Sequence, residues 1–387
     1  MSHEAAHLAP METPDALHKK LEIARNNAIA SQKEFQRLKE ALSEADFSAD
    51  PMIPRIVSNM LRAASQGNRQ EFMTVAQKAY LYARKTIGQT KRTLHEAAID
   101  EAGQSFGIQL PKDFGFKNIW LPAGLPSFVG GSAGHGKTSW LLNLVRAFRE
   151  QGIKKGLIVS LEMTAGQFVN RLVAQEVFSV ENNSMGWQKS YEYIQKGYAT
   201  DFLEKEVEPY IHIKDRAPGE TFTIEDFLQY HEWYVNRYGE PEYVALDYMQ
   251  KLSRQPKQNK FEAIEKAIYS LTDYAKGTSY PWINLAQNNR DAFKSTAHGA
   301  ADLTAFEGSA GFEQDAGIGL TLGRHYGPPD IEYDILENRI VKNRKGASGI
   351  RSYVRIHKET GTLMGTTSSD EIKEWVKRRK AEEKGKE

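Results

Sequence analysis

From about residue 116 onward, short apolar runs alternate with stretches in which apolar residues return every three or four positions. The runs predict strands at Ser127–Gly130, Leu157–Leu161, Tyr210–Lys214, Tyr243–Leu246 and Trp282–Ala286, then at Gly319–Leu322, Tyr333–Val341 and Ile350–Ile356. Helical spacing fills most gaps between the earlier strands, most plainly in Trp140, Leu141, Leu142, Leu144, Val145 and Phe148. Such alternation implies an α/β fold with a mainly parallel sheet and helices on both faces.

The chain before residue 105 has a different rhythm. Thr13-Pro14-Asp15 is a helix start, with Thr as cap and Pro at the first helical position. Behind it Leu17, Leu21, Ala24, Ala28, Ser31, Phe35, Leu38 and Leu42 fall in alternating steps of four and three, a seam along one helix face. The seam packs within its own region or against another subunit; the pattern suits both equally. Pro51 and Pro54 interrupt it, and further helices are expected over about 55–64, 68–85 and 90–102. Gly107, Pro111, Gly115 and Pro122 mark a lead-in loop. The expected organisation is a small all-α region over 1–105, a linker over 106–120, an α/β domain over 116–366 and a charged tail over 367–387 that is helical or disordered.

Composition narrows the field. The chain has 387 residues, room for two domains. Lys plus Arg total 51 against 50 for Asp plus Glu, so the surface is not basic throughout, although a local basic channel would be invisible in that balance. There is no cysteine, which rules out disulfides and Cys-ligated zinc or iron–sulfur sites in this sequence. No apolar run is long enough for a membrane span, and the start lacks the basic-then-apolar layout of a secretory signal. A cytoplasmic protein with no membrane partner is the expectation.

The chemistry concentrates after the first strand of the α/β region. Gly131-Ser132-Ala133-Gly134-His135-Gly136-Lys137-Thr138, followed by Ser139, is a full phosphate-binding loop between an apolar strand and an amphipathic helix. Its glycines let backbone N–H groups wrap phosphates at a helix N-terminus. Lys137 is expected at the β- and γ-phosphates of ATP, and Thr138 on Mg²⁺. Tyr243-Val244-Ala245-Leu246-Asp247 is a strand ending in an acid; beside the loop's own strand it would bring Asp247 to the metal. Gly156-Leu157-Ile158-Val159-Ser160-Leu161-Glu162 ends in Glu162, which could polarise an attacking water or be a solvated helix-start residue.

Ser160-Leu161-Glu162-Met163, Leu246-Asp247-Tyr248-Met249-Gln250, Ala286-Gln287-Asn288-Asn289-Arg290, Gly308-Ser309, Glu313-Gln314-Asp315-Ala316 and Lys342-Asn343-Arg344-Lys345-Gly346 all follow the loop in this order. Together they resemble the RecA-like C-terminal ATPase domain of DnaB-type replicative helicases, helicase superfamily 4, over residues from about 116 to 357. The resemblance implies Glu162 as catalytic glutamate, Asp247 as the Walker B acid and Gln287 as a γ-phosphate sensor. It implies that Lys342 and Arg344 enter the neighbouring subunit's site, with Arg344 as arginine finger; without it, both would read as a solvated basic strand end. It also implies single-strand-binding loops carrying Arg254, Lys257 and Lys260, then Arg290 and Lys294, where basic side chains track a phosphate backbone without reading sequence.

Two departures from the family and one correspondence stand out. The N-terminal region is shorter than usual and carries no matching motif. The helix over 90–102 sits where the family has a linker helix that docks on the next subunit. His135 stands where the family's loop has a small residue. The implied activity is ATP-driven, 5′→3′ translocation of a hexamer on single-stranded DNA with duplex unwinding, with any primase and helicase loader as separate partners. The rivals are a recombination or regulatory ATPase of the same fold that binds DNA without unwinding, and a scaffold whose ATP site switches assembly.

Overall fold

The computed structural model describes residues 106–181, 186–254, 259–288 and 309–384. The chain divides into two units, Met1–Ala102 and Gly103–Glu387. The helices expected between residues 13 and 102 lie outside the described residues.

The second unit opens with β1 (Ile108–Gln109) and β2 (Trp120–Leu121), paired antiparallel. The segment expected as a linker is packed into this unit, burying Phe114, Phe116, Ile119 and Leu121. There follow β3 (Pro126–Gly131), α1 (Lys137–Glu150), β4 (Gly156–Ser160), α2 (Ala165–Glu181), α3 (Trp187–Gln195), β5 (Ile211–Asp215), α4 (Ile224–Tyr238), β6 (Tyr243–Asp247), α5 (Lys260–Ala275) and β7 (Trp282–Gln287). The last elements are α6 (Ser309–Asp315), β8 (Ile318–His325), β9 (Tyr333–Asn343), β10 (Arg351–His357), β11 (Leu363–Thr366) and α7 (Ser369–Lys384).

Nine strands form one sheet in the order β11-β10-β9-β8-β3-β7-β6-β4-β5. From β5 to β8 neighbours are parallel, and β9, β10 and β11 extend the β8 side as an antiparallel meander. All the runs expected as strands are strands, and the sheet is mainly parallel. β11 is not among the expected strands: it is short, and Leu363 is buried beside an exposed Met364, a pattern too brief to stand out.

Period-two alternation sends successive strand residues to opposite faces. Val129, Ile158, Ala245, Ile283 and Leu285 meet α1 and α2 on one face, through Trp140, Leu144, Phe168 and Leu172. Phe128, Leu157, Val159, Val244, Leu246 and Trp282 meet α4, α5 and α6 on the other, through Phe227, Ile268 and Phe312. Two hydrophobic layers thus grip the central strands. At Gly156 a Cβ would stand 2.2 Å from the Tyr243 ring, so only glycine lets that ring lie across β4.

The helix behind the phosphate loop is buried from Trp140 through Phe148. Trp140 meets Phe114 edge-on at 4.9 Å, which draws the opening segment over α1. Asn143, buried among these apolar residues, donates to the Ser139 and Gly361 carbonyls and accepts from Leu363 N–H, so the β10–β11 turn is fixed to the same helix. The tail is helical: in α7, Ile372 and Trp375 pack on Ile335, and Trp375 stacks on Tyr333 at 5.4 Å.

Trp140→Ala removes a fully buried ring from under the loop helix. Its unfolding free energy in a urea titration is expected to fall by about 3–5 kcal/mol. A loss below about 1 kcal/mol would mean the opening segment does not pack on α1 in solution.

Candidate nucleotide site

Gly131 ends β3, and the chain turns through Gly134 and Gly136, both at positive φ (78° and 83°), before α1 starts at Lys137. Side chains are strained in that backbone region, so the turn requires glycine at both positions. The turn faces the N–H groups of the first turn of α1 toward a cavity of about 520 Å³. Ala133, Gly134, Gly136, Lys137, Thr138 and Ser139 line it from the loop side, with Glu162 and Gln287 from neighbouring strand ends.

Lys137 folds back over its own loop, donating to the carbonyls of Gly131 (2.9 Å) and Ser132 (3.2 Å). Burial holds its pKa below the usual lysine value, opposed by the carboxylates of Asp247 and Glu162. Thr138 Oγ1 donates to Asp247 Oδ2 at 2.9 Å. Asp247 is wholly buried, and its second oxygen, Oδ1, has no hydrogen-bond partner among the described residues. Burial pushes its carboxyl up to about 6, with the Glu162 charge adding to the rise and the Thr138 bond and the Lys137 and Arg171 charges opposing it.

The strand order differs from the sequence expectation that placed β6 beside β3. β6 does not lie beside β3; β7 runs between them, and Thr138 reaches Asp247 across its end. Strand order is set by how crossover helices pack, which hydrophobic runs do not encode.

Glu162 is exposed at the cavity. Ser160 Oγ, which donates to Met163 O and accepts from Met163 N–H, shapes the turn that presents it. Leu161 N–H donates to Asp247 O at 2.7 Å, tying the ends of β4 and β6 together. His135 is buried: its Nδ1 lies 3.2 Å from Leu322 O, so that nitrogen carries the proton and the loop's tip is tied to β8.

Lys342 and Arg344 lie elsewhere. Lys342 pairs with Gly319, and Arg344 N–H bonds Gly317 O, whose own N–H bonds Pro126 O at the amino end of β3. At about 3.3 Å per residue, roughly 16 Å of strand separates that level from the phosphate loop. Both cations donate to Gln314 O, at the carboxyl end of α6, where a positive charge is favourable. Arg254 and Lys260 are exposed and line one small groove with Gln250. Lys257, Arg290 and Lys294 lie outside the described residues.

Two cavity arginines escaped sequence reasoning. Arg171 projects from α2, a helix with no motif. Arg324 is the last residue but one of β8; its Nε and one terminal nitrogen grip the buried Asp334 at 2.8 and 2.7 Å, and the other terminal nitrogen lies 3.4 Å from Gly134 O. A cation at the carboxyl end of a parallel strand was a usable signal for Arg324.

No curated protein sequence matches the chain. Among solved structures, a DnaB-like replicative helicase described with its interactions with primase superposes with a TM-score of 0.56 at 17% identity, covering 86% of this chain and 77% of that one. A second solved structure, described as an ATPase domain, superposes with a TM-score of 0.54 at 18% identity, covering 72% of this chain and 100% of that one. These likenesses support the fold. The family model for the DnaB-like helicase C terminal domain matches residues 123–360, which hold the phosphate loop, Glu162, Asp247, Gln287 and the Lys342–Arg344 pair. That match spans more than half of the sequence, and the chain belongs to the DnaB-like helicase family, as an ATP-hydrolysing helicase.

Proposed function

We propose that this chain is a phage- or plasmid-type replicative helicase that assembles head to tail into a hexameric ring, hydrolyses ATP with Mg²⁺ and moves 5′→3′ on single-stranded DNA, unwinding the duplex ahead. The observation that carries the assembly is the far-end position of Lys342 and Arg344. They cannot reach the phosphate loop of their own subunit, whereas a copy related head to tail would present them to the next cavity. Arg254, Lys257, Lys260, Arg290 and Lys294 are the proposed DNA contacts. A separate primase and loader are the proposed partners, in the cytoplasm of a bacterial or phage-infected cell.

The residues fit a magnesium ion. Thr138 and Asp247 offer the oxygen donors a hard cation prefers, and Asp247 Oδ1 is buried with no other partner. Bound there, Mg²⁺ supplies charge neutralisation to the β- and γ-phosphates. Lys137 exchanges its two loop carbonyls for phosphate oxygens, whose negative charge offsets the burial that lowers its pKa. Glu162 orients a water and takes its proton as the water oxygen attacks the γ-phosphorus; the bond to ADP breaks, leaving ADP and phosphate. Gln287, at the end of β7, faces the γ-phosphate, and the neighbour's Arg344 stabilises charge on the phosphoryl group in flight.

The deciding measurement is unwinding of forked duplexes with either tail polarity; separation that needs a 5′ tail is expected. ATPase activity and DNA binding without strand separation would favour the recombination-type reading.

Glu162→Gln is expected to bind ATP within about threefold of wild type and to lose about 10²–10⁴-fold in turnover, since the amide cannot take the proton. Loss of binding instead would make Glu162 structural.

A carboxyl that titrates at about 6 when folded, against 3.8 as a free side chain, binds a proton where the cation should sit. Mg²⁺-dependent nucleotide affinity is therefore expected to fall about tenfold per pH unit below 6. In metal-free buffer the sign reverses for stability: this group favours the fold most in acid, and that contribution is lost as pH rises through 6. Fluorescent-nucleotide titrations and thermal melts from about pH 4 to 8 check both, and Asp247→Asn should flatten both curves.

Arg344→Ala is expected to lower turnover about 10³-fold. Mixed with Lys137→Ala chains, themselves inactive, it should regain part of it, because some interfaces then pair an intact loop with an intact finger. Mixed oligomers that form yet stay silent would refute the shared site.

A further inference from the structure

The parallel ladder between β6 and β7 ends early. Its last registered pair is Leu246 with Asn284, whereas β7 continues to Gln287 and pairs with β3 as far as Gly131. The β6 side of the β7 tip therefore lacks a strand partner at Gln287. The side chain of Gln250, two residues beyond Tyr248, fills the gap. Its Oε1 accepts from Gln287 N–H at 2.9 Å, and its Nε2 donates to Gln287 O at 3.1 Å. One carboxamide thus imitates a strand backbone, with both bonds on the same residue.

The segment carrying Gln250 is itself fixed. Ser253 N–H donates to Phe222 O, and Phe222 N–H donates to Ser253 Oγ. Arg216 donates to Lys251 O. On the opposite side of the β7 tip, Asn288 N–H and Lys137 Nζ share the Gly131 carbonyl. Gln287 is thereby held between the phosphate loop and the segment that follows Asp247, and it lines the nucleotide cavity.

We propose that Gln250 is a positioning residue for ATP hydrolysis: by clamping both backbone polar groups of Gln287, it fixes that side chain at the γ-phosphate end of the cavity. This rests on the reading that Gln287 meets the terminal phosphate. Gln250 touches no reacting atom. A clamp of this kind governs turnover more than nucleotide affinity, because the loop and α1 that hold the phosphates do not depend on it.

The test is a double-mutant cycle in the full chain with Gln250→Ala, Gln287→Ala and the pair. Gln250→Ala is expected to lower kcat about tenfold with KM and ADP affinity within about twofold. The pair should be no slower than Gln287→Ala alone, since one residue acts through the other. Gln250→Glu keeps the acceptor for Gln287 N–H but offers no proton to its carbonyl at neutral pH, and should fall between. Hydrogen exchange supplies a readout independent of turnover: the Gln287 amide should exchange about tenfold faster in Gln250→Ala while the amides of β3 keep their protection. Wild-type kcat in Gln250→Ala beside a crippled Gln287→Ala, losses that multiply in the pair, or unchanged exchange at Gln287 would overturn the clamp alone. Wild-type turnover in Gln287→Ala would remove the phosphate-facing role of Gln287, and this proposal with it. General loss of β3 protection in Gln250→Ala would make Gln250 a fold residue and also overturn it.

Discussion

The hydrogen bond from Thr138 to Asp247 is the contact on which the arrangement of the site depends. It joins the start of the loop helix to the end of a strand two places away in the sheet, so it exists only if β3, β7 and β6 lie in that order with their carboxyl ends on the same side. The hydrophobic layers on both faces enforce this alignment. On one side Trp140, Leu144 and Phe148 press α1 onto the strands; on the other, Phe227 and Ile268 hold α4 and α5 against them. A buried carboxylate with one unpartnered oxygen is unfavourable in a stable core. The fold sustains it because the surrounding layers are large, and it leaves beside the phosphate loop a negative group that a cation would satisfy.

Much of this was legible in the residues. Apolar runs bounded by turn residues marked the strands, and the glycine spacing around Lys137 and Thr138 marked the phosphate loop. Acids at strand ends pointed to Glu162 and Asp247, because the carboxyl edge of a parallel sheet is where such fold classes bind ligands. What was not legible depended on distance in the chain. The insertion of β7 between β3 and β6 leaves no trace in either strand's composition. Arg171 sits on an unmarked helix, and Asp334, which fixes Arg324, is ten residues along the chain in the next strand. Gln250 was visible only as part of a motif; that its amide stands in for a strand backbone emerges from the early end of the β6–β7 ladder.

The sheet also divides labour by its two ends. The carboxyl edge collects the loop, Glu162, Gln287 and Arg324, with Asp247 at the end of β6 bonded to Thr138. The amino edge of β8 collects Lys342 and Arg344, anchored on the last carbonyls of α6. Opposite chemistries at opposite ends of one rigid sheet give the domain a direction, the geometric precondition for a head-to-tail assembly.

His135 gives the loop a further property. Most of the phosphate loop is glycine and small residues, a composition that leaves an isolated peptide free to sample many shapes. The buried imidazole, bonded to the Leu322 carbonyl, pins the tip to a strand of the central sheet. The conformational entropy of that loop is therefore surrendered when the domain folds and not when a ligand arrives. A phosphate ligand would meet a cradle already shaped, and less of its contact energy would go into ordering the loop.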